Sequence, residues 1–144
     1  MCIRDSTTGA ARPTVVAKGG ALRDPDGVAI SRTGAIFVTD HGLGGRALRI
    51  AGSKVSTVAG AIRLGDPAGV ALTLDESHLL VSSLHKAKGT AQVVIVDLAS
   101  GATSTFDDVI GTNRSAGGLH RARAAVPMGW ADVQRPGRIY RVDP

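Results

Sequence analysis

The stretch DPDGVAIS at residues 24–31 returns as DPAGVALT at residues 66–73, 42 residues further along the chain. A period of this length limits the fold more than any composition does. Each copy must be one supersecondary unit that cannot bury its faces alone and stacks on its neighbours instead. The likeness runs well beyond the octamer. TVVAKGGALRDPDGVAIS (14–31) aligns with STVAGAIRLGDPAGVALT (56–73), and GAIFVTD (34–40) with SHLLVSS (77–83). RALRIAGSK (46–54) aligns with AQVVIVDLASG (91–101), and VSTVAGA (55–61) with ATSTFDDV (102–109). A weaker third copy opens at AGGLHRA (116–122) and continues through PMGWADV (127–133) and GRIYRVD (137–143).

Each full copy holds four short apolar runs, rich in β-branched residues and bounded by Gly, Asp, Ser or Pro, which is the signature of strands. No window keeps an i, i+3, i+4, i+7 stripe for three turns, so helices are not expected. Aromatic residues make up 3% of the chain and hydrophobic residues 43%, so the core must be built from Val, Ile, Leu and Ala. QVVIVDL is a continuous apolar run, as expected of a strand covered on both faces. Four strands in one period of this length make a propeller blade.

The expected fold class is therefore all-β. It comprises blades of four antiparallel strands, about two and a half to three of them from a six-bladed ring of about 250 residues. The blades are expected over residues 14–61, 62–109 and 110–144. PTVVAKG reads as the outer strand of a preceding blade. MCIRDS reads as a translated sequencing-adapter remnant, so residues 1–13 are expected to be non-native or disordered. On that reading the chain is the C-terminal portion of a larger propeller, and the remaining blades of the same protein are its first partner.

The pairs DPDGVAIS with GAIFVTD, and DPAGVALTLDESHLLVSS, resemble NHL-repeat and SMP-30/gluconolactonase-like six-bladed β-propellers, with GRIYRVD resembling the third strand of such blades. The resemblance covers residues 14–143. WD40 repeats fit less well, because no Trp-Asp strand ending or Gly-His start stands at the repeat positions. The resemblance implies one of two functions. An NHL-type propeller binds a ligand or protein and needs no fixed catalytic residues. A gluconolactonase-like propeller is a metal-dependent lactone hydrolase, whose divalent cation sits at the channel mouth on a Glu, Asn residues and an Asp from several blades.

The chain departs from the hydrolase pattern. In that family the inner strand typically opens with Asn-Gly, and an Asp can follow. Here Asp26 precedes Gly27 and Ala68 precedes Gly69, while Ala29 and Ala71 occupy the in-strand position. A hard cation needs several oxygen ligands, so part of the cage is missing from these copies. The expected function is therefore a binding module that takes a small molecule, glycan or protein at the channel face and calls for no cofactor. The alternative is the lactone hydrolase with Ca²⁺ or Zn²⁺, its site mostly in the other blades.

GVAI, GVAL and GLHR read as the innermost strands. The loops leading into them, and the loops after the second strands, share one face, where propeller ligands bind. That face collects Asp24, Asp26, Asp40, His41, Asp66, His85 and Asn113, with His120 inside the third inner strand. Asp26 and His120 are the metal-ligand candidates among them. Asp24 and Asp66 precede Pro, where Asp starts a turn by bonding the backbone. Asp40 ends a strand and can cap a hairpin. HGLGGR (41–46) lacks the GxxxxGK[ST] spacing of a phosphate loop and reads as a hairpin loop. Asp75 and Glu76 are neighbours in a turn and point different ways, so they do not form an acid–base pair.

Lysine and arginine together number 17 against 12 acidic residues, a net charge of +5. The arginines are scattered, and few aromatics are available to stack on bases, so nucleic acid is not an expected partner. The single cysteine, Cys2, allows no intrachain disulfide. No apolar run approaches the ~18 residues of a membrane span.

Overall fold

The computed structural model describes residues 3–5, 14–59, 66–85, 90–106, 119–120, 128–131 and 139–142. The first sheet contains β3 (Pro25–Ile30), β4 (Ile36–Asp40), β5 (Arg46–Ala51) and β6 (Lys54–Ala59), hydrogen-bonded in that order and antiparallel throughout. The second repeats it with β7 (Asp66–Leu72), β8 (His78–His85), β9 (Thr90–Asp97) and β10 (Thr103–Phe106). The third has β11 (Leu119–His120), β12 (Met128–Ala131) and β13 (Ile139–Val142). The expected four-strand meander is thus present twice in full. In both full sheets a register shift falls at the same place on the first strand, between Pro25 and Val28 and between Pro67 and Val70. The repeated Asp-Pro-x-Gly writes the same irregularity twice.

Thr14–Ala17 (β2), which opens the first sequence repeat and reads as the outer strand of a preceding blade, pairs with Ile3–Asp5 (β1) in a sheet separate from β3–β6. The reason is that an outer strand and the next inner strand are consecutive in sequence but belong to different sheets. The repeat boundary in sequence is therefore offset by one strand from the sheet boundary. Ile3–Asp5 also lies within the segment set aside on sequence grounds.

The first strands gather together, with β3 against β7 and β7 against β11. The sheets pack face to face. Ala35, Phe37 and Ala47 of the first sheet meet Val70, Leu72, Leu79, Val81, Val94 and Val96 of the second. The opposite face of the first sheet buries Val38, Leu48 and Ile50 with Leu22, and Val16 and Ala17 of β2 pack against them. Leu79, Leu80, Val81, Val93, Val94 and Val96 are fully buried, so the middle strands are covered on both faces. Each such side chain contributes roughly 1.5–3 kcal/mol of burial. No helix among the described residues is long and apolar enough to cross a membrane.

Candidate functional site

Pro25 starts β3, and Asp40 ends β4 as its register partner. This brings the loop before β3 and the turn after β4 to one end of the sheet. Asp40 is fully buried there. Its Oδ2 accepts the backbone N–H groups of Arg23 at 2.8 Å and Asp24 at 3.2 Å. Its Oδ1 accepts the N–H of Gly42 at 2.8 Å and an Arg46 guanidinium N–H at 3.1 Å. Arg46 also donates to the Ala21 carbonyl at 2.6 Å. Burial pushes the Asp40 carboxyl up, but the bonds from Arg23, Arg46, Asp24 and Gly42 outweigh it and hold the group below its ordinary value. All of this capacity goes to folding the loops, so Asp40 positions the site and offers nothing to a ligand.

The same slot in the second sheet is filled differently. Ser83 takes the place of Asp40 and Gln92 that of Arg46, register partners across β8 and β9 as Asp40 and Arg46 are across β4 and β5. Both are buried, and the Gln92 amide donates to the Ser83 hydroxyl at 3.2 Å.

Asp24 is exposed, and its carbonyl accepts the His41 N–H at 2.9 Å. Asp26 projects from β3 with its Oδ2 3.5 Å from His41 Nε2, and 53% of its side chain is open to solvent. The structure therefore brings Asp24, Asp26, Asp40 and His41 together, with Asp26 and His41 paired and partly exposed at the surface. The backbone puts Asp66 at the start of β7 beside Leu84 and His85 at the end of β8, so both lie at the corresponding end of the second sheet. His120 sits on β11, paired with Gly129 of β12. Asn113 lies outside the described residues.

A second group on the opposite face was not anticipated. Asp75 accepts the Thr73 hydroxyl at 2.6 Å, the Ser77 hydroxyl at 2.7 Å and the Ser77 N–H at 3.1 Å. Those bonds, led by Thr73, hold its carboxyl well below the usual carboxylate range. Asp97, lowered chiefly by Ser100, accepts the Ser100 N–H and hydroxyl, each at 2.7 Å. His78 lies between them, its Nδ1 2.7 Å from the Ser77 hydroxyl and its Nε2 3.6 Å from Asp97 Oδ2. Ser77, His78 and Asp97 resemble a nucleophile triad by residue type. The chemistry differs, because the Ser77 proton is given to Asp75 and His78 must donate to Ser77 rather than accept from it. The group is a turn lock. Thr73, Asp75, Ser77 and His78 come from one turn, and Asp97 reaches it from the end of β9, a meeting that sequence spacing does not show.

Thr39 joins the two full sheets. Its hydroxyl accepts the Gly27 N–H at 2.7 Å and donates to the Ala68 carbonyl of β7 at 2.7 Å. Ser82 does the corresponding work for Gly69 at 2.8 Å. A Cβ at Gly27 would collide with the Ala68 carbonyl and approach the Thr39 hydroxyl to 2.8 Å, which explains the glycine of the repeated motif. The sheets are thus held at backbone contact around a common centre.

Two solved structures share this arrangement. The nidogen/laminin complex superposes with a TM-score of 0.68 at 19% identity, over 90% of this chain and 52% of that one. TolB from Acinetobacter baumannii superposes with a TM-score of 0.57 at 15% identity, over 98% of this chain and 37% of that one. The fold is that of a β-propeller. The chain spans about half the length of the first of these neighbours and less of the second. No protein-family model and no curated protein matches it. In propeller terms β3, β7 and β11 are inner strands, and Asp24, Asp26 and His41 lie at one rim of the first described blade. Among the described residues, no group of three or more His, Cys, Asp and Glu side chains is placed to hold a metal ion. Asp26 and His41 alone do not make the cage of about six to eight ligands that a hard cation takes.

Proposed function

We propose that the chain is a binding module of the NHL or SMP-30-like type, from a propeller of six blades, that takes a protein, glycan or small molecule at the rim carrying Asp24, Asp26 and His41. The observation that carries this reading is the division of labour at that rim. Asp40 is consumed by the fold, while Asp26 and His41 stand at the surface on a rigid strand end, the usual origin of recognition residues. One structural neighbour was solved as a complex of two proteins, nidogen with laminin, which supports a protein partner. Further blades of the same protein complete the ring.

The test is a glycan and peptide array probed with the chain and with an Asp26→Asn/His41→Ala variant. The reading expects a signal that the variant loses while its melting temperature stays unchanged. A signal equal in both would overturn the site. Melting across Ca²⁺ and Zn²⁺ series tests the hydrolase alternative, since a specific metal site raises Tm with the logarithm of free metal and a binding module of this kind shows no such rise.

A further inference from the structure

A cleft of about 550 Å³ opens between the first two blades, on the face opposite the rim just described. Its lining is mostly polar, with the hydroxyls of Thr33, Ser56 and Ser100 around it, and Phe37, Leu72 and Leu98 lie at its base. Arg49 reaches into this space from β5, as the register partner of Phe37 on one side and of Ser56 on the other. The volume falls in the range of small-molecule sites.

We propose that this cleft binds a hydroxylated carboxylate, an acidic sugar of the uronate class, through Arg49. Arg49 is exposed, and among the described residues no carboxylate lies within ion-pair distance of it. The other charges at the cleft are already matched, since the Arg32 N–H donates to Glu76 Oε1 at 2.9 Å and its guanidinium lies 3.4 Å from the same oxygen. Of the two charged residues that line the cleft, Glu76 is engaged by Arg32, whereas Arg49 has no ion-pair partner among the described residues.

The repeat shows that the fold does not require this cation. The corresponding pocket of the second blade is lined by His78, Ile95 and Ser104, with Ile95 at the position of Arg49 and Ser104 at that of Ser56. A guanidinium replaces an aliphatic side chain at a blade-to-blade seam. A guanidinium fork matches one carboxylate bidentately. The hydroxyls suit a polyol. A phosphate dianion fits less well, because Glu76 shares the cleft and only one cation faces it. This site is independent of the rim reading.

The experiment is saturation-transfer NMR of the full chain with D-galacturonate, D-galactose and inorganic phosphate. Saturable galacturonate binding is expected, with galactose and phosphate at least tenfold weaker. Arg49→Gln should weaken galacturonate about tenfold, as loss of a charge-assisted bidentate pair does, with Tm unchanged because the side chain is exposed. Arg49→Lys should retain part of the affinity. Absence of saturable galacturonate binding, equal binding by Arg49→Gln, or phosphate binding as tight as galacturonate would each overturn the proposal.

Discussion

One carboxylate, Asp40, fastens the loop before β3, the turn after β4 and the guanidinium of Arg46. Removing one partner of a buried pair leaves the other uncompensated. Asp40→Ala should therefore lower stability by about 3 kcal/mol in urea denaturation. The second blade supplies a control, because Ser83 and Gln92 occupy the same slot without charge. Asp40→Ser combined with Arg46→Gln should recover much of the loss, and a double-mutant cycle reads that coupling directly. The Thr39 hydroxyl offers a sharper case, for it bridges Gly27 and Ala68. Thr39→Val keeps the shape and leaves a backbone donor and acceptor unpaired, a loss of about 2 kcal/mol by the same measurement.

The inner strands β3 and β7 have nearly one sequence and two environments. Val70 and Leu72 are 4% and 3% exposed, whereas their counterparts Val28 and Ile30 are 41% and 60% exposed. Leu72→Ala should cost about 3 kcal/mol, and Ile30→Ala less than about 1 kcal/mol, in thermal or urea unfolding of this chain. Equal losses would mean that β3 is covered in solution. The strands are legible in the sequence because short β-branched apolar runs and the Asp-Pro-x-Gly punctuation are local, and GVAI and GVAL are placed as inner strands for the same reason. Asp26 and His41 are placed on one face because both flank motif positions, and their pairing across that face emerges only in the structure. Arg49 and the lock around His78 stayed hidden, because side chains meet there across strands and turns whose spacing the chain does not fix. The pairing of Ile3–Asp5 with Thr14–Ala17 was equally silent, since three residues carry no period.

At the scale of the molecule, Asp40, Asp75 and Asp97 all have carboxyls held below their ordinary values by hydrogen bonds. As pH falls, the unfolded chain takes up those protons first, near pH 4, and the folded state only lower down. Their stabilisation is thus complete above about pH 4 and is lost as pH drops through the folded values. Urea midpoints should be flat from pH 7 to about 5 on this account and fall steeply below 4, and Asp40→Asn should flatten that fall. The Thr39 hydroxyl adds a direction to this picture. It accepts within its own blade and donates to the next, so this link has a direction, from the second strand of one blade to the first strand of its neighbour. Duplicating or deleting one whole period keeps a hydroxyl residue, Thr39 or Ser82, at the position of that link, whereas gaining or losing a single strand removes the match. Genes for such rings can therefore grow and shrink by full periods, each new copy arriving with its hook already matched to the eye of its neighbour.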